Sequence, residues 1–309
     1  MHCKSAYKKD DYQFLIRRRA LNKGIGLMKA QGLTLATSSF GDSTAPPVIF
    51  AHGGGQTRHA WKSAAKTLAY EGYFSTAVDL RGHGDSDWAA DGDYSLEAIA
   101  RDLIDIAGQL AGAGTRPHLV GASLGGLAAI VAAGMLARDA FMSVTLVDIA
   151  PNMDAAGVAK VVGFMGAHIE EGFESLEQAA DVIAKYLPHR PRPNDLEGLR
   201  KNLRQGEDGR WRWHWDPAFI TGVMKRSAVT RTSDLEQAVR DICVPLHLIR
   251  GRMSELVSED SVTAFRALAP NAHFTDVAGA RHMVAGDRND VFTDAVAAFL
   301  RQVGEEAPE

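Results

Sequence analysis

The chain has 309 residues, of which 46% are hydrophobic and 23% charged, and its 34 Lys and Arg against 38 Asp and Glu give a net charge of −4. These values are typical of a folded globular protein, exclude a disordered or fibrous one, and leave no net positive field that would hold nucleic acid. The two cysteines, Cys3 and Cys243, exclude a disulfide framework, and we expect a reducing, cytoplasmic compartment.

Residues 1–24 precede the first strand-like run and carry clustered charge. Charged runs occupy residues 8–11 and 17–19, and a short apolar stretch at 14–16 separates them. A secretory signal needs about 7–15 consecutive apolar residues and a membrane span about 20. We therefore expect residues 1–24 to be an extension of the folded unit, and the chain to have no membrane span.

Short β-rich runs and helical patterns alternate along the chain. The β-rich runs lie at 26–30, 33–38, 48–51, 74–80, 118–122, 144–149, 246–250 and 273–277, and the main helical patterns at 58–71, 96–111, 124–138, 259–268 and 290–303. Several runs, such as 48–51, are apolar without alternation, which is typical of strands covered by helices on both faces. This alternation predicts an α/β fold with a doubly wound, mostly parallel eight-stranded sheet. Gln31-Gly32 predicts a hairpin at one edge.

The alternation breaks after the sixth run. Residues 151–235 contain helical patterns at 155–168 and 176–186 and a proline-rich stretch at 188–193. Helices inserted between two strands of one sheet indicate a cap over the carboxyl ends of the strands, where ligands bind in open α/β sheets. We therefore predict a core of residues 25–150 and 236–309 with a helical cap of residues 151–235.

Three tryptophans in the predicted cap alternate with basic residues. They are Trp211, Trp213 and Trp215, and aromatic residues interleaved with basic ones can stack nucleobases. No basic surface supports that function, so we interpret them as packing residues and expect no nucleic-acid partner. The histidines of this segment show no metal-binding spacing, so no metal site is predicted.

A candidate nucleophile follows the fifth predicted strand. Gly121-Ala122-Ser123-Leu124-Gly125 is a G-x-S-x-G pattern between a strand and a helix, where small residues permit the strained turn that exposes the serine hydroxyl. The N–H of Leu124, at the start of the helix, points toward any oxyanion that develops there. The alternative is a glycine-rich turn whose serine only caps the helix.

A glycine-rich loop follows the third predicted strand. In His52-Gly53-Gly54-Gly55 the missing side chains leave backbone N–H groups accessible, so the loop can supply a second oxyanion donor, with Gly54 the favoured residue. A phosphate-binding loop is the competing interpretation, but its G-x-x-x-x-G-K-[ST] pattern is absent from the sequence.

These motifs belong to a longer ordered series. The series is His52-Gly53-Gly54 with Trp61, Asp79-Leu80-Arg81-Gly82-His83-Gly84-Asp85-Ser86, Gly121-Ala122-Ser123-Leu124-Gly125-Gly126, Val147-Asp148-Ile149-Ala150-Pro151, Gly279-Ala280-Arg281-His282-Met283-Val284 and Gly286-Asp287-Arg288-Asn289-Asp290. It resembles the capped, epoxide-hydrolase-like branch of the α/β-hydrolases over residues 25–303. The resemblance implies that Arg81 and His83 shape a loop rather than react.

The resemblance also implies a catalytic base and an acid. His282, in the loop behind the last strand, stands where the family has its general base, although Arg281 replaces the glycine that commonly precedes it. The usual position of the acid holds Ser254, so we predict that the neighbouring Glu255 orients His282. Asp148, at the end of the sixth strand, is the alternative acid, with a buried structural aspartate as its other interpretation.

The resemblance leads to an expected reaction. Relatives that open epoxides or remove halides have aspartate at the elbow, whereas Ser123 indicates an acyl-enzyme and thus carboxylic esters or lactones. A C–C bond hydrolase or a cofactor-free perhydrolase on the same triad, or a small-ligand receptor with little turnover, are the alternatives. No cofactor is expected, and the expected partner is a small ester-like substrate.

Overall fold

The computed structural model describes residues 24–111, 115–192, 196–226 and 231–306. Apart from Gly24, the expected N-terminal extension lies outside these residues. Within them, no helix combines the length and the apolar character needed to cross a membrane.

An eight-stranded sheet forms the centre of the molecule. Its first six strands are β1 (Gly24–Ala30), β2 (Leu33–Phe40), β3 (Pro47–Ala51), β4 (Phe74–Val78), β5 (His118–Ala122) and β6 (Ser143–Val147). The short strands β7 (Leu203–Gln205) and β8 (Trp211–Trp213) pair separately, and β9 (Leu246–Gly251) and β10 (His273–Val277) complete the large sheet. Every predicted β-rich run corresponds to one of its strands, and the predicted fold class is confirmed.

The order of the strands places a crevice at the middle of the sheet. The order is β1-β2-β4-β3-β5-β6-β9-β10, with antiparallel pairing of β2 to both β1 and β4 and parallel pairing elsewhere. After β3 the chain forms β4 on one side of β3 and then β5 on its other side, so the direction in which strands are added reverses at β3. Ligands bind outside the carboxyl ends of the strands at such a switch point.

Helices cover both faces of the sheet. In chain order they are α1 (Lys62–Tyr70), α2 (Leu96–Leu110), α3 (Leu124–Val131), α4 (Ala155–Gly166), α5 (Leu176–Tyr186), α6 (Pro217–Arg226), α7 (Thr232–Asp241), α8 (Glu259–Leu268), α9 (Val284–Asp287) and α10 (Asn289–Glu306). Helices α1 and α10 pack together on one face, and α2, α3 and α7 on the other. All residues of β3 and β6 are buried, which explains why these strands lack polar alternation.

The sequence predicts a helical segment between β6 and β9, but the structure shows that this segment is not purely helical. Besides helices it contains the antiparallel pair of β7 and β8. Trp211, Trp213 and Trp215 are buried in an aromatic cluster of this segment, and the rings of Trp213 and Trp215 stack with centroids 4.7 Å apart. We propose that residues 151–235 form a cap, because Met165 of α4 and Phe219 of α6 lie within 3.5 Å of where a Cβ on Gly54 would stand. That glycine is in the loop after β3.

Candidate active site

Ser123 occupies a strained turn at the carboxyl end of β5. Its φ of 47° and ψ of −114° are unusual for a residue with a side chain, and its hydroxyl makes no capping hydrogen bond to α3. The turn is possible because its neighbours are glycines: a Cβ on Gly121 would lie 2.5 Å from the carbonyl oxygen of Gly125, and a Cβ on Gly125 equally close to that of Ala51. The geometry is that of a nucleophile elbow rather than of a helix cap.

His282 lies beside a buried carboxylate. Its Nδ1 is 2.8 Å from Oδ2 of Asp148, which directly follows β6 and is fully buried, whereas the His282 side chain is 19% exposed. Asp148 also accepts hydrogen bonds from the N–H of Gly251 (2.9 Å) and the hydroxyl of Ser254 (2.5 Å). These donors satisfy the buried carboxylate and fix its orientation toward the imidazole.

Among the described residues, Glu255, the predicted acid, forms no hydrogen bond or ion pair with His282. Its carboxylate, 38% exposed, lies 3.1 Å from Nη1 of Arg281 and 3.7 Å from Nζ of Lys160. The predicted contact between Glu255 and His282 is therefore corrected, and the alternative, Asp148, takes that place.

Ser254 explains why Asp148 lies beside His282. It stands where the family usually has the acid, and its Oγ accepts hydrogen bonds from the N–H groups of Leu256 and Val257 while donating to Asp148. The loop after β9 therefore supports a carboxylate on the neighbouring strand instead of providing one. Ser254 is therefore the signal in the sequence for this arrangement, which the prediction of Glu255 as the acid does not use.

The glycine-rich loop after β3 leaves one of its N–H groups unused. The N–H of Gly53 donates to Oε1 of Gln56 (3.1 Å) and that of Gly55 to Nε2 of His83 (3.2 Å). Across the described residues, the N–H groups of Gly54 and Leu124 have no hydrogen-bond acceptor. A Cβ on Gly53 would be 3.2 Å from Cβ of Ser123, so this loop lies next to the elbow. The two unused N–H groups are those expected from the sequence to form an oxyanion hole.

The predicted structural residues of the loop after β4 are buried and paired. The Arg81 guanidinium binds both carboxylate oxygens of Asp102, at 2.6 and 2.7 Å. Burial lowers the pKa of His83 to about 3, so its imidazole is neutral near pH 7. Neither side chain is free to react.

A cleft of about 130 Å³ opens between the proposed cap and the core beside His282. Its lining combines apolar and charged side chains, among them Val161, Leu187 and Met283 together with Lys160 and Arg281.

Within the residues that the structure describes, no group of three or more His, Cys, Asp or Glu side chains could hold a metal ion.

Known proteins resemble this chain in sequence. A sequence model of the alpha/beta hydrolase family matches residues 48–295. Esterase Rv0045c of Mycobacterium tuberculosis is 32% identical over 264 residues, which cover 84% of this chain and 82% of the relative. A 2-(acetamidomethylene)succinate hydrolase of Mesorhizobium japonicum is 28% identical over 263 residues, which cover 82% of this chain and 88% of the relative.

Solved structures extend the comparison to the fold. A crystal structure of esterase Rv0045c superposes with a TM-score of 0.69 at 29% identity, covering 94% of this chain and 98% of the other. That of E-2-(acetamidomethylene)succinate hydrolase gives 0.76 at 24% identity, covering 91% and 100%. The family match spans most of the chain, and these relatives are hydrolases. The protein therefore belongs to the alpha/beta hydrolase family.

Proposed function

We propose that the protein is a serine hydrolase that cleaves carboxylic esters or lactones through an acyl-enzyme on Ser123. One observation carries the proposal: Ser123 is held at positive φ at the switch point of the sheet, beside the unused N–H groups of Gly54 and Leu124. An esterase among the relatives supports the same class of reaction.

The proposed triad is Ser123, His282 and Asp148. Because Nδ1 of His282 faces Asp148, Nε2 is the nitrogen that accepts the Ser123 proton while Oγ attacks the acyl carbon. Asp148 keeps the imidazole in this tautomer and stabilises the imidazolium that forms. His282 then protonates the departing alcohol, and the same groups activate the water that releases the acid.

The proposed oxyanion hole consists of the N–H groups of Gly54 and Leu124. Both would donate to the oxygen that becomes negative in the tetrahedral intermediate, and each such donor contributes about 3 kcal/mol to the lowering of the barrier. No step of this mechanism needs a metal or a cofactor.

The cleft beside His282 supports a small to medium substrate that meets both apolar and charged side chains. It lies between α4 and the end of α5 on one side and residues 281–283 on the other, so the proposed cap contributes to the binding surface. Pockets of this kind select substrates mainly by shape and by a few polar groups.

The test is hydrolysis of p-nitrophenyl acetate, butyrate and octanoate by the wild type and by Ser123→Ala. We expect saturable turnover in the wild type and a loss of at least about 10³-fold in kcat in the variant, with an unchanged circular dichroism spectrum. Full activity of Ser123→Ala would contradict the proposal. Faster turnover of vinylogous diketones than of all three esters would favour a C–C bond hydrolase, and ligand-induced stabilisation without product would favour a receptor.

A further inference from the structure

Three histidines hold three consecutive peptide groups of the loop after β3. Nδ1 of His52 donates to the carbonyl oxygen of Gly53 (2.8 Å), and the N–H of Gly55 donates to Nε2 of His83 (3.2 Å). Nε2 of His214, from the proposed cap, donates to the carbonyl oxygen of Gly55 (3.3 Å). Gly55 is thus bound at both its polar groups by histidines from two different parts of the chain.

The remaining nitrogen of each ring has a partner on residues 80–84. The N–H of Leu80 donates to Nε2 of His52 (3.0 Å), and that of Gly84 to Nδ1 of His214 (2.7 Å). Nδ1 of His83 donates to the carbonyl oxygen of Arg81 (3.0 Å). Every ring therefore has one N–H donor and one carbonyl acceptor as partners, which fits one neutral tautomer in each case.

The three rings are buried and close together. Their exposed fractions are 0% for His52 and His83 and 1% for His214, and consecutive ring centroids are 5.2 and 5.9 Å apart. The three pKa values are lowered to about 4, 3 and 2 in the same order, chiefly by burial, and Asp79 and Asp216 oppose this lowering on His83. Arg58 contributes to the lowering on His52 and Arg204 to that on His214, and all three rings are neutral near pH 7.

This arrangement determines the direction of the Gly54 N–H. A peptide group is planar, so a hydrogen bond to the Gly53 carbonyl also orients the N–H of Gly54 in the same plane. The next two peptide groups are held through Gly55. Because consecutive glycines have wide backbone freedom, these bonds replace the restraint that side chains would otherwise give.

We propose that His83 and His214 are positioning residues: they fix Gly55 on the far side of Gly54, while His52 holds the Gly53 carbonyl, and the N–H of Gly54 is thereby kept aimed at the oxyanion. This inference rests on the proposed function, because it assigns a role within that oxyanion hole. It makes His214 a contribution of the proposed cap to catalysis, in addition to any contribution to substrate binding. It also gives His83 a role beyond shaping its own loop.

Further contacts fasten the same part of the proposed cap to the core. The hydroxyl of Tyr94 donates to the carboxylate of Asp216, and the N–H of Asp216 donates to the carbonyl oxygen of Gly82 (2.9 Å). Arg204 binds Asp85 at 2.8 Å. These contacts hold His214 in place against Gly55.

The test compares His83→Phe and His214→Phe with the control His118→Phe. Phenylalanine keeps a ring but removes both hydrogen-bonding nitrogens. His118 is also buried, and its Nδ1 bonds to Oγ of Ser143. Its variant therefore also removes a buried, hydrogen-bonded imidazole, but none of the hydrogen bonds to Gly55. The measurements are kcat and KM for p-nitrophenyl butyrate, and inhibition by an alkyl trifluoromethyl ketone, whose hemiketal oxyanion occupies the hole.

We expect kcat to fall about 10- to 100-fold in both variants while KM changes less than about 3-fold, because misplacement of a donor weakens the transition state and not substrate binding. Affinity for the trifluoromethyl ketone should fall in parallel. His83→Gln, whose amide oxygen can accept from Gly55, should recover most of the activity. His118→Phe should lose thermal stability but keep its kcat.

Unchanged kcat and unchanged ketone affinity in folded His83→Phe and His214→Phe would overturn the inference, as would an equal loss of kcat in His118→Phe. If His83→Phe does not fold, His214→Phe and His83→Gln decide the matter by the same two measurements. Ser123→Ala run in parallel separates the two levels: its full activity would remove the proposed function and this inference together, whereas its inactivity leaves only the positioning role in question.

Discussion

Replacement of Asp148 by asparagine is the change that most sharply separates the two candidate acids. In the structure Asp148 accepts from Nδ1 of His282, the N–H of Gly251 and the hydroxyl of Ser254. An asparagine amide can keep its oxygen on Gly251, but its NH2 then faces Nδ1 of His282. The imidazole must then carry its proton on Nε2, so Nε2 can no longer accept the proton of Ser123.

The expected loss in kcat is about 10⁴-fold, which is what the wrong histidine tautomer costs in serine proteases. It corresponds to about 5.4 kcal/mol of lost transition-state stabilisation. The matched control is Glu255→Gln, which removes a charge from a carboxylate that is 38% exposed and bound to Arg281 and Lys160. A half-exposed ion pair contributes about 0–1 kcal/mol to the free energy of unfolding, and among the described residues Glu255 forms no hydrogen bond with His282. Its substitution should therefore change kcat less than about 5-fold.

The assay is p-nitrophenyl butyrate hydrolysis at pH 7.5, with circular dichroism to show that both variants are folded. The reasoning is refuted by the reverse pattern, in which Glu255→Gln is inactive and folded Asp148→Asn retains most of its kcat. Loss of activity in both variants would show that the two carboxylates act together. That result would also contradict the prediction, because Glu255 pairs with Lys160 and Arg281 and not with His282.

Further predictions concern the support of the triad, the elbow and the effect of pH. Ser254→Ala removes a hydroxyl that donates to a buried carboxylate, so kcat should fall about 10-fold, and an unaltered kcat would contradict a supporting role. Gly125→Ala places a Cβ 2.5 Å from the carbonyl oxygen of Ala51 and should lower the free energy of unfolding by roughly 1–3 kcal/mol in urea titration, whereas equal stability would show that the elbow is not tightly packed. The depressed pKa values of His52, His83 and His214 mean that the unfolded chain binds more protons than the native one below its histidine pKa of about 6.5. The contribution of these neutral rings to the free energy of unfolding should therefore be fully present above about pH 6.5. It should decrease as the pH falls toward 4, by about 1.4 kcal/mol per pH unit for each histidine. A free energy of unfolding that stays constant in urea titrations from pH 7 to 5 would contradict buried neutral rings.

Much of the fold could be predicted because its signals are local. A strand such as β3 is buried along its whole length, and continuous apolar runs of this kind stand out from the helical patterns between them. The elbow was predictable for the same reason, since the glycines on both sides of Ser123 are required by contacts within a few residues and with β3.

The carboxylate that lies beside His282 could not be identified from the sequence, because its position depends on tertiary geometry. Asp148 and His282 are far apart in the chain, and their contact depends on the close packing of β6 and β9, which brings Ser254 under the carboxylate. Position within the loop after β9 favoured Glu255, but that side chain is turned toward Lys160 and Arg281.

Two further features were not predicted, for similar reasons. The strands β7 and β8 have three residues each, too few for a periodic signal, and they pair only within the inserted segment. The contact of His214 with Gly55 joins positions 159 residues apart, so no local pattern could indicate it.

The proposed transfer of an acyl group to Ser123 is tested most directly by covalent labelling of the nucleophile followed by mass spectrometry. The wild type would be treated with an alkyl fluorophosphonate, digested and analysed by tandem mass spectrometry, with Ser123→Ala as the matched control. We predict a single phosphonyl adduct on the peptide that contains Ser123, and no adduct in the variant. An adduct on another residue, or equal labelling of Ser123→Ala, would contradict the account.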